Sequence, residues 1–282
     1  MQVAPRRAEA LGQPRVWIAS RGISKKAWGS RRAQELFFLL MNHAAGLTKD
    51  QIADRLFPGM NQDKSEGLFH STLYRCRKAL EVEVVVLEDD VYRVANVVEW
   101  KYDVAEFEAL VKRARRLRED PREAEGLYHT ALQLYEGDYL EGRDSEWCEP
   151  IRVRLKQLYL EAVLAVARLS ARRGPPEDAL EWFRLAIAKD YYCEAAHKGI
   201  VDCLLEVGDR LAAVRHHLDL VQRLKQDVPP EERSEIPGVV EDMLDRSLHD
   251  LLVGDKAAHH DRVSRFRHAQ DAKTAELLGG KP

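Results

Sequence analysis

Between Ser65 and Val94 a helical hydrophobic rhythm gives way directly to a strand rhythm, and this change constrains the fold more than any other feature of the chain. In SEGLFHSTLYRCRKAL (residues 65–80), Phe69, Leu73, Cys76 and Leu80 recur at the i, i+4, i+7, i+11 spacing of one buried helix face. The opposite side carries His70, Ser71, Tyr74, Arg75, Arg77 and Lys78, a mixture of hydrogen-bonding and cationic groups with almost no acid. VEVVVLEDDVYRV (residues 82–94) then reads as two short strands turning near Asp89-Asp90, a hairpin.

Upstream, RVWI (residues 15–18) is a short β-prone run. RRAQELFFLLMN (residues 31–42) places Leu36, Phe37, Leu40 and Met41 at the spacing of a helix with one buried face, and Gly46 is expected to cap it in a left-handed conformation. Thr48 followed three residues later by Gln51 is a capping-box signature opening TKDQIADRLF, whose apolar stripe is Ile52, Ala53, Leu56 and Phe57. Pro58-Gly59 breaks that helix, and a polar loop through Met60, Asn61, Gln62, Asp63 and Lys64 leads to the third, expected from Ser65 onward. Strand, three helices and hairpin in this order describe a winged helix-turn-helix, in which the last helix enters the DNA major groove.

Charge distribution agrees with this reading. Residues 1–80 hold fourteen Lys/Arg against six Asp/Glu, whereas residues 81–110 hold two against nine, so a basic module meeting a polyanion precedes an acidic segment that avoids one. Arg, His, Ser and Tyr can read donor and acceptor edges of bases, and Lys and Arg neutralise phosphates. Lys25, Lys26, Arg31 and Arg32 lie before or within the first long helix, where phosphate contacts are expected. Taken alone, Arg75, Arg77 and Lys78 would pass for a solvated face; the order of elements around them favours DNA.

RRAQELFFLLMNHAAGLTKDQIADRLFPG and LFHSTLYRCRKAL resemble the DNA-binding domain of the OmpR type and, more closely, that of the Streptomyces antibiotic regulatory protein (SARP) family. The resemblance implies that His70, Ser71, Tyr74 and Arg75 face the groove and that Arg77 and Lys78 lie nearer the backbone. One departure stands out. The wing tip is Glu88-Asp89-Asp90, so the tip supplies no cation to the minor groove, and Arg93 is left to replace part of that contact. The resemblance also assigns a polymerase contact to Met60, Asn61, Gln62 and Asp63; the alternative is a plain connector in which Asp63 or Ser65 caps the next helix.

The remainder reads as helical. DVAEFEALVKRARRL and EAEGLYHTALQLY are amphipathic and are separated by Asp120-Pro121, a helix start with Pro in the first turn. EGDYLEGRDSEWCEPIRVRLKQLYLEAV resembles the bacterial transcriptional activator domain of the same family. Gly174 and Gly208, Ala179 and Ala213, and Ile187 and Val221 each recur after 34 residues, the period of tetratricopeptide (TPR) helix pairs. The expected architecture is therefore mainly α. It comprises an N-terminal arm (1–14), a winged helix with a small β hairpin or sheet (15–98), a TPR-like activator domain (99–228), and a linker, helix and polar tail (229–282). In that last part VPPEERSEIPG reads as linker, Val240, Leu244, Leu248 and Leu251 mark an amphipathic helix, and His259, His260 and His268 belong to a polar tail rather than a metal site. With about 14 residues before the winged helix, no receiver domain is expected there.

Enzymatic signatures are missing. GLTK (residues 46–49) lacks phosphate-loop spacing, and there is no GxSxG, HExxH or paired CxxC. Cys76, Cys148, Cys193 and Cys203 read as reduced thiols, no apolar run is long enough to span a bilayer, and MQVAPRRAEALGQP has no signal-peptide core. A cytoplasmic regulator without cofactor or metal is expected, its partners being double-stranded promoter DNA and RNA polymerase. The resemblance adds activation and a homodimer on direct repeats. The competing class is a TPR-like protein-binding scaffold without specific DNA binding.

Overall fold

The computed structural model describes residues 5–80, 84–96, 99–117 and 120–227. They fall into two compact units that divide at Ala162 and Val163.

The first unit opens on β1 (Arg6–Glu9), β2 (Arg15–Ile18) and β3 (Arg21–Gly22), followed by the short helix α1 (Lys25–Trp28). The winged helix continues with α2 (Arg31–Met41), α3 (Lys49–Leu56), α4 (Gln62–Leu80), and a hairpin of β4 (Val85–Glu88) and β5 (Val91–Val94). β6 (Trp100–Tyr102) then closes a four-stranded sheet of order β3-β2-β1-β6, in which β1 runs antiparallel to β2 and parallel to β6. The segment expected as an N-terminal arm is thus built into the sheet interior, and the sheet draws on residues beyond 98. The arginine-rich stretch is accommodated because its guanidinium groups stack on aromatic rings, Arg6 over Trp100 at 5.9 Å and Arg7 over Trp17 at 5.2 Å, while Ala8 is fully buried.

Helix α2 departs from the one-faced expectation. Nine consecutive residues, Ala33 to Met41, are buried, because α1, α3, α4 and β5 all pack on it and Trp100 and Tyr102 of β6 meet Phe37 and Phe38. It starts at Ser30, whose side chain accepts from Ala33 N, and ends at Asn42 rather than at Gly46. Gly46 instead turns the chain into Leu47, which exchanges two backbone hydrogen bonds with Tyr92 at 2.7 and 2.9 Å. Its φ is +86°, and a Cβ there would lie 2.8 Å from Val91 Cγ2, so glycine is required on both counts.

Local signals elsewhere are realised closely. Thr48 and Gln51 form both limbs of the capping box. In α4, Phe69, Leu73, Cys76 and Leu80 are buried as their spacing predicts. The helix begins at Gln62, however, three residues before the expected Ser65, because Asn61 Oδ1 accepts from Lys64 N at 3.1 Å. The cap is therefore Asn61 rather than Asp63 or Ser65. Asp89 and Asp90 both have positive φ (+48° and +62°), the type I′ geometry of a two-residue hairpin.

The first unit continues with α5 (Asp103–Arg116), α6 (Pro121–Leu134), a 3-10 turn (Glu146–Cys148) and the start of α7 (Glu149–Arg173). Asp103, buried, accepts from Ala10 N and Leu11 N at 2.8–2.9 Å and so ties α5 to the end of β1. Burial pushes its carboxyl up to about 6, against the opposing pull of the N–H groups of Leu11, Ala10 and Val104. Residues 138–145 bind the winged helix directly: Leu140 N donates to Ala10 O at 2.8 Å, Ser145 Oγ to Glu35 at 2.8 Å, and Asn42 Nδ2 lies 2.7 Å from Tyr139 Oη.

The second unit holds α8 (Pro176–Lys189), α9 (Glu194–Val207) and α10 (Arg210–Asp227). α8 and α10 begin 34 residues apart, and the repeated alanines, Ala179 and Ala213, are both fully buried. Gly199 allows α9 to meet α8 closely, since a Cβ would fall 2.3 Å from the Phe183 ring. Gly208 caps α9 at φ +87°. The amphipathic segment with Val240, Leu244, Leu248 and Leu251, and the histidines of the tail, lie outside the described residues.

Candidate nucleic-acid interface

Helix α4 is amphipathic over nineteen residues, and its unburied side forms two adjacent rows at i, i+4 spacing. One row is Glu66, His70, Tyr74, Lys78; the other is Gly67, Ser71, Arg75. Ser71 is only half-exposed and its Oγ donates to Leu68 O at 2.9 Å. Tyr74 is 65% exposed, an unusual position for a large aromatic ring without a partner molecule, and Lys78 Nζ lies 5.9 Å from its ring centre.

At the C-terminal end of these rows α4 meets α1. Together they line an open groove of about 580 Å³ whose walls are Ser24, Lys26, Ala27, Trp28, Gly29, Tyr74, Arg75 and Lys78. No acid lines it. Ser24 caps α1 through Ala27 N, and Gly29 ends α1 in a left-handed conformation at φ +65°. A Cβ on Gly29 would make only ordinary contact, 3.7 Å from Arg75 Cδ, so it is the left-handed turn rather than the Arg75 stem that calls for glycine. Trp28 forms the buried base of the groove, packed on Phe37 of α2 at 6.0 Å.

The structure divides the residues singled out from the sequence into two sets. Lys26, Tyr74, Arg75 and Lys78 are brought together at the groove, and among the described residues the three cations make no ion pair. Lys25 and Arg31 are exposed nearby in sequence, on α1 and at the first position of α2.

The other set is held internally. Arg77 Nε and its terminal nitrogen donate to Val85 O at 2.9 and 2.7 Å, bracing α4 against β4. Arg32 bonds Glu35 at 2.7 Å and Ser145 at 2.8 Å. Arg93 pairs with Glu88 on the facing strand, so the cation expected to compensate for the acidic wing tip is neutralised within the wing. His70 belongs to neither set: its ring is exposed, with Nε2 3.7 Å from Glu66.

Around the connecting turn, Met60 is 50% exposed, Asn61 is occupied in capping, and Gln62 and Asp63 lie in the first turn of α4 rather than in a loop.

Sequence reasoning missed Ser24, Trp28 and Gly29, whose roles depend on α1 approaching α4. It also missed Glu66 and Lys49, joined at 2.6 Å across the α3–α4 interface. The i+4 row was readable; the pairing across helices was not. Lys49 holds the Glu66 carboxyl below the usual range by hydrogen bonding, and its own ammonium is raised in turn.

Among the described residues no helix is long and apolar enough to cross a membrane, and no group of three or more His, Cys, Asp or Glu side chains is arranged to hold a metal ion.

Comparison with known proteins bears on the whole arrangement. Residues 102–241 match the bacterial transcriptional activator domain. Regulatory protein AfsR of Streptomyces coelicolor is 24% identical over 234 residues, which are 82% of this chain but 23% of AfsR, so the match spans about a quarter of that relative. The fold is similar to that of Mycobacterium tuberculosis EmbR, solved in complex with a low-affinity phosphopeptide, with a TM-score of 0.64 at 18% identity over 93% of this chain and 71% of that one. The matched domain and AfsR are of a transcriptional regulator type, not an enzyme class. A winged helix thus precedes a stretch that matches the bacterial transcriptional activator domain, an arrangement that supports a transcriptional regulator of the SARP activator type.

Proposed function

We propose that the chain binds promoter DNA as a duplex, with α4 in the major groove and the α1–α4 groove against the backbone, and activates transcription by recruiting RNA polymerase. The observation that carries this reading is the convergence of Lys26, Arg75 and Lys78, unpaired among the described residues, on a groove that no acid lines and that also exposes Tyr74. Such a cluster repels itself unless an anion meets it, and a phosphodiester backbone is the anion whose spacing suits a helix end. Lys25 and Arg31 extend the positive edge. Arg32, Arg77 and Arg93, already bonded within the chain, serve the frame that presents α4.

The test is binding of a labelled duplex to the full chain across a salt series. Log K is expected to fall steeply and linearly with log salt. The triple variant K26A/R75A/K78A is expected to flatten the slope by roughly 0.9 for each phosphate that it no longer neutralises. A flat wild-type line would favour a protein-binding scaffold instead.

Polymerase contact is assigned to the turn around Met60 and to Gln62 and Asp63 beside it, with Asn61 excluded from side-chain contact by its capping role. The double variant M60A/Q62A leaves the cap intact. It is expected to bind DNA normally but to lose activation in purified transcription; activation at the wild-type level would move the contact to the helical domain. A homodimer on direct repeats would double the length of DNA protected from nuclease, and protection of one half-site alone would exclude it.

A further inference from the structure

The exposed row of α4 changes character along its length: Glu66 and His70 at the N-terminal end, Tyr74 and Lys78 at the C-terminal end. Glu66 is the odd member. Its side chain is 46% exposed and ionised, on a surface otherwise suited to a polyanion. Lys49 Nζ at 2.6 Å and His70 Nε2 at 3.7 Å both approach the same oxygen, Oε1. The second oxygen, Oε2, has no hydrogen-bond partner among the described residues. One oxygen is anchored and the other is left as an acceptor on a half-exposed side chain. Gly67, next to it, has nothing within 4 Å of where a Cβ would stand, so the approach is open.

Resting on the reading of α4 as the groove helix, we propose that Glu66 is a specificity-determining residue that accepts a hydrogen bond from the exocyclic amino group of a cytosine. A carboxylate cannot face a phosphate, whose charge it shares, so its partner must be a donor. The major-groove floor supplies donors only at cytosine N4 and adenine N6. Adenine sets its N7 acceptor beside N6, against which a carboxylate is repelled, whereas cytosine offers its amino group with no acceptor alongside. The first turns of a recognition helix are also the part that reaches base edges. Lys49 and His70 fix the rotamer, so the carboxylate is oriented before DNA arrives.

The experiment selects the preferred site from a random duplex pool with the full-length wild type. Affinities of wild type, E66A and E66Q are then measured for every single-base-pair variant of that site and for random duplex. Wild type should prefer C at one position by roughly 5- to 100-fold, the range of a good base contact. E66A should lose that preference to below about 2-fold while binding random duplex more tightly, because a negative charge has left the phosphate-facing surface. E66Q should shift the preference toward A, since an amide can bond adenine N6 and N7 together. If both variants keep the wild-type preference at every position, or weaken all sequences equally with no gain on random duplex, Glu66 merely tethers Lys49 and the proposal falls. A wild type that binds no duplex overturns the DNA reading itself, and this one with it.

Discussion

Helices α2 and α4 pack against one another in the same winged helix and treat their polar residues in opposite ways. In α2, past the exposed Arg31, the polar side chains of Arg32, Gln34 and Glu35 are each bonded to a distant part of the chain. Gln34 donates to Pro14 O at 3.2 Å and receives Arg143, Glu35 receives Arg32 and Ser145, and Asn42 at its end meets Tyr102 and Tyr139. In α4 the polar side chains of the exposed rows point outward, and among the described residues Arg75, Tyr74 and Lys78 have no partner beyond the Tyr74–Lys78 contact. A buried polar group must find its partner internally because desolvation is costly, so it becomes part of the frame. An exposed cation is free to meet something else. Disturbing α2 should therefore appear as lost stability, and disturbing α4 as lost binding.

The severest test of that division is Phe37→Ala. Phe37 is fully buried between Trp28, Phe38 and Trp100, and its loss should lower stability by about 3–5 kcal/mol in urea unfolding. DNA affinity of the fraction still folded should be unchanged. Next comes Glu35→Ala, which strands Arg32 and Ser145 without their shared acceptor at a cost of about 2–4 kcal/mol. A melting temperature equal to wild type would mean that α2 is not held by these bonds, and the contrast would collapse from that side.

From the other side, Arg75→Ala should weaken binding to the selected site and to random duplex alike and reduce the salt slope by about one. Its unfolding free energy should stay within about 0.5 kcal/mol of wild type. Arg77, two residues on, sharpens the point because it belongs to α4 in sequence but to the frame in space. Arg77→Ala should cost about 1 kcal/mol of stability through the missing bonds to Val85 and leave the salt slope of DNA binding unchanged. A slope reduced by about one would place Arg77 on a phosphate and blur the division.

The smallest effect at neutral pH concerns histidines. His70 on α4 is exposed, whereas His197 on α9 is buried, with Nε2 2.6 Å from Tyr191 O and Nδ1 2.9 Å from His216 Nε2 on α10. A carbonyl only accepts, so His197 carries its proton on Nε2 and receives the bond from His216. Burial lowers His197, and burial with the neighbouring His197 lowers His216 to about 4. The unfolded chain takes up these protons near 6.5, so the stabilisation is complete above that pH and is lost as pH falls from about 6.5 toward 4. Unfolding of wild type should become markedly easier over that window, as followed by urea unfolding at a series of pH values.

Much of this molecule was determined by sequence over short distances. Helix phases, the Thr48–Gln51 capping box, the two-residue turn at Asp89-Asp90, the buried face of α4 and the 34-residue recurrence of Ala179 and Ala213 depend on neighbours within a turn or a repeat, where periodicity and capping chemistry act. What decides whether a given arginine reads DNA or braces the fold lies farther off. Arg32 meets Ser145 113 residues away, β1 becomes an interior strand because β6 arrives beside it about 94 residues later (Arg6 opposite Trp100), and α2 is enclosed on all sides only once sheet, wing and residues 138–145 close around it. A charge carries no mark of its partner in its own side chain. Its pairing is set by which surfaces the packed core brings within about 4 Å, the range at which an ion pair forms, and only the tertiary structure decides that.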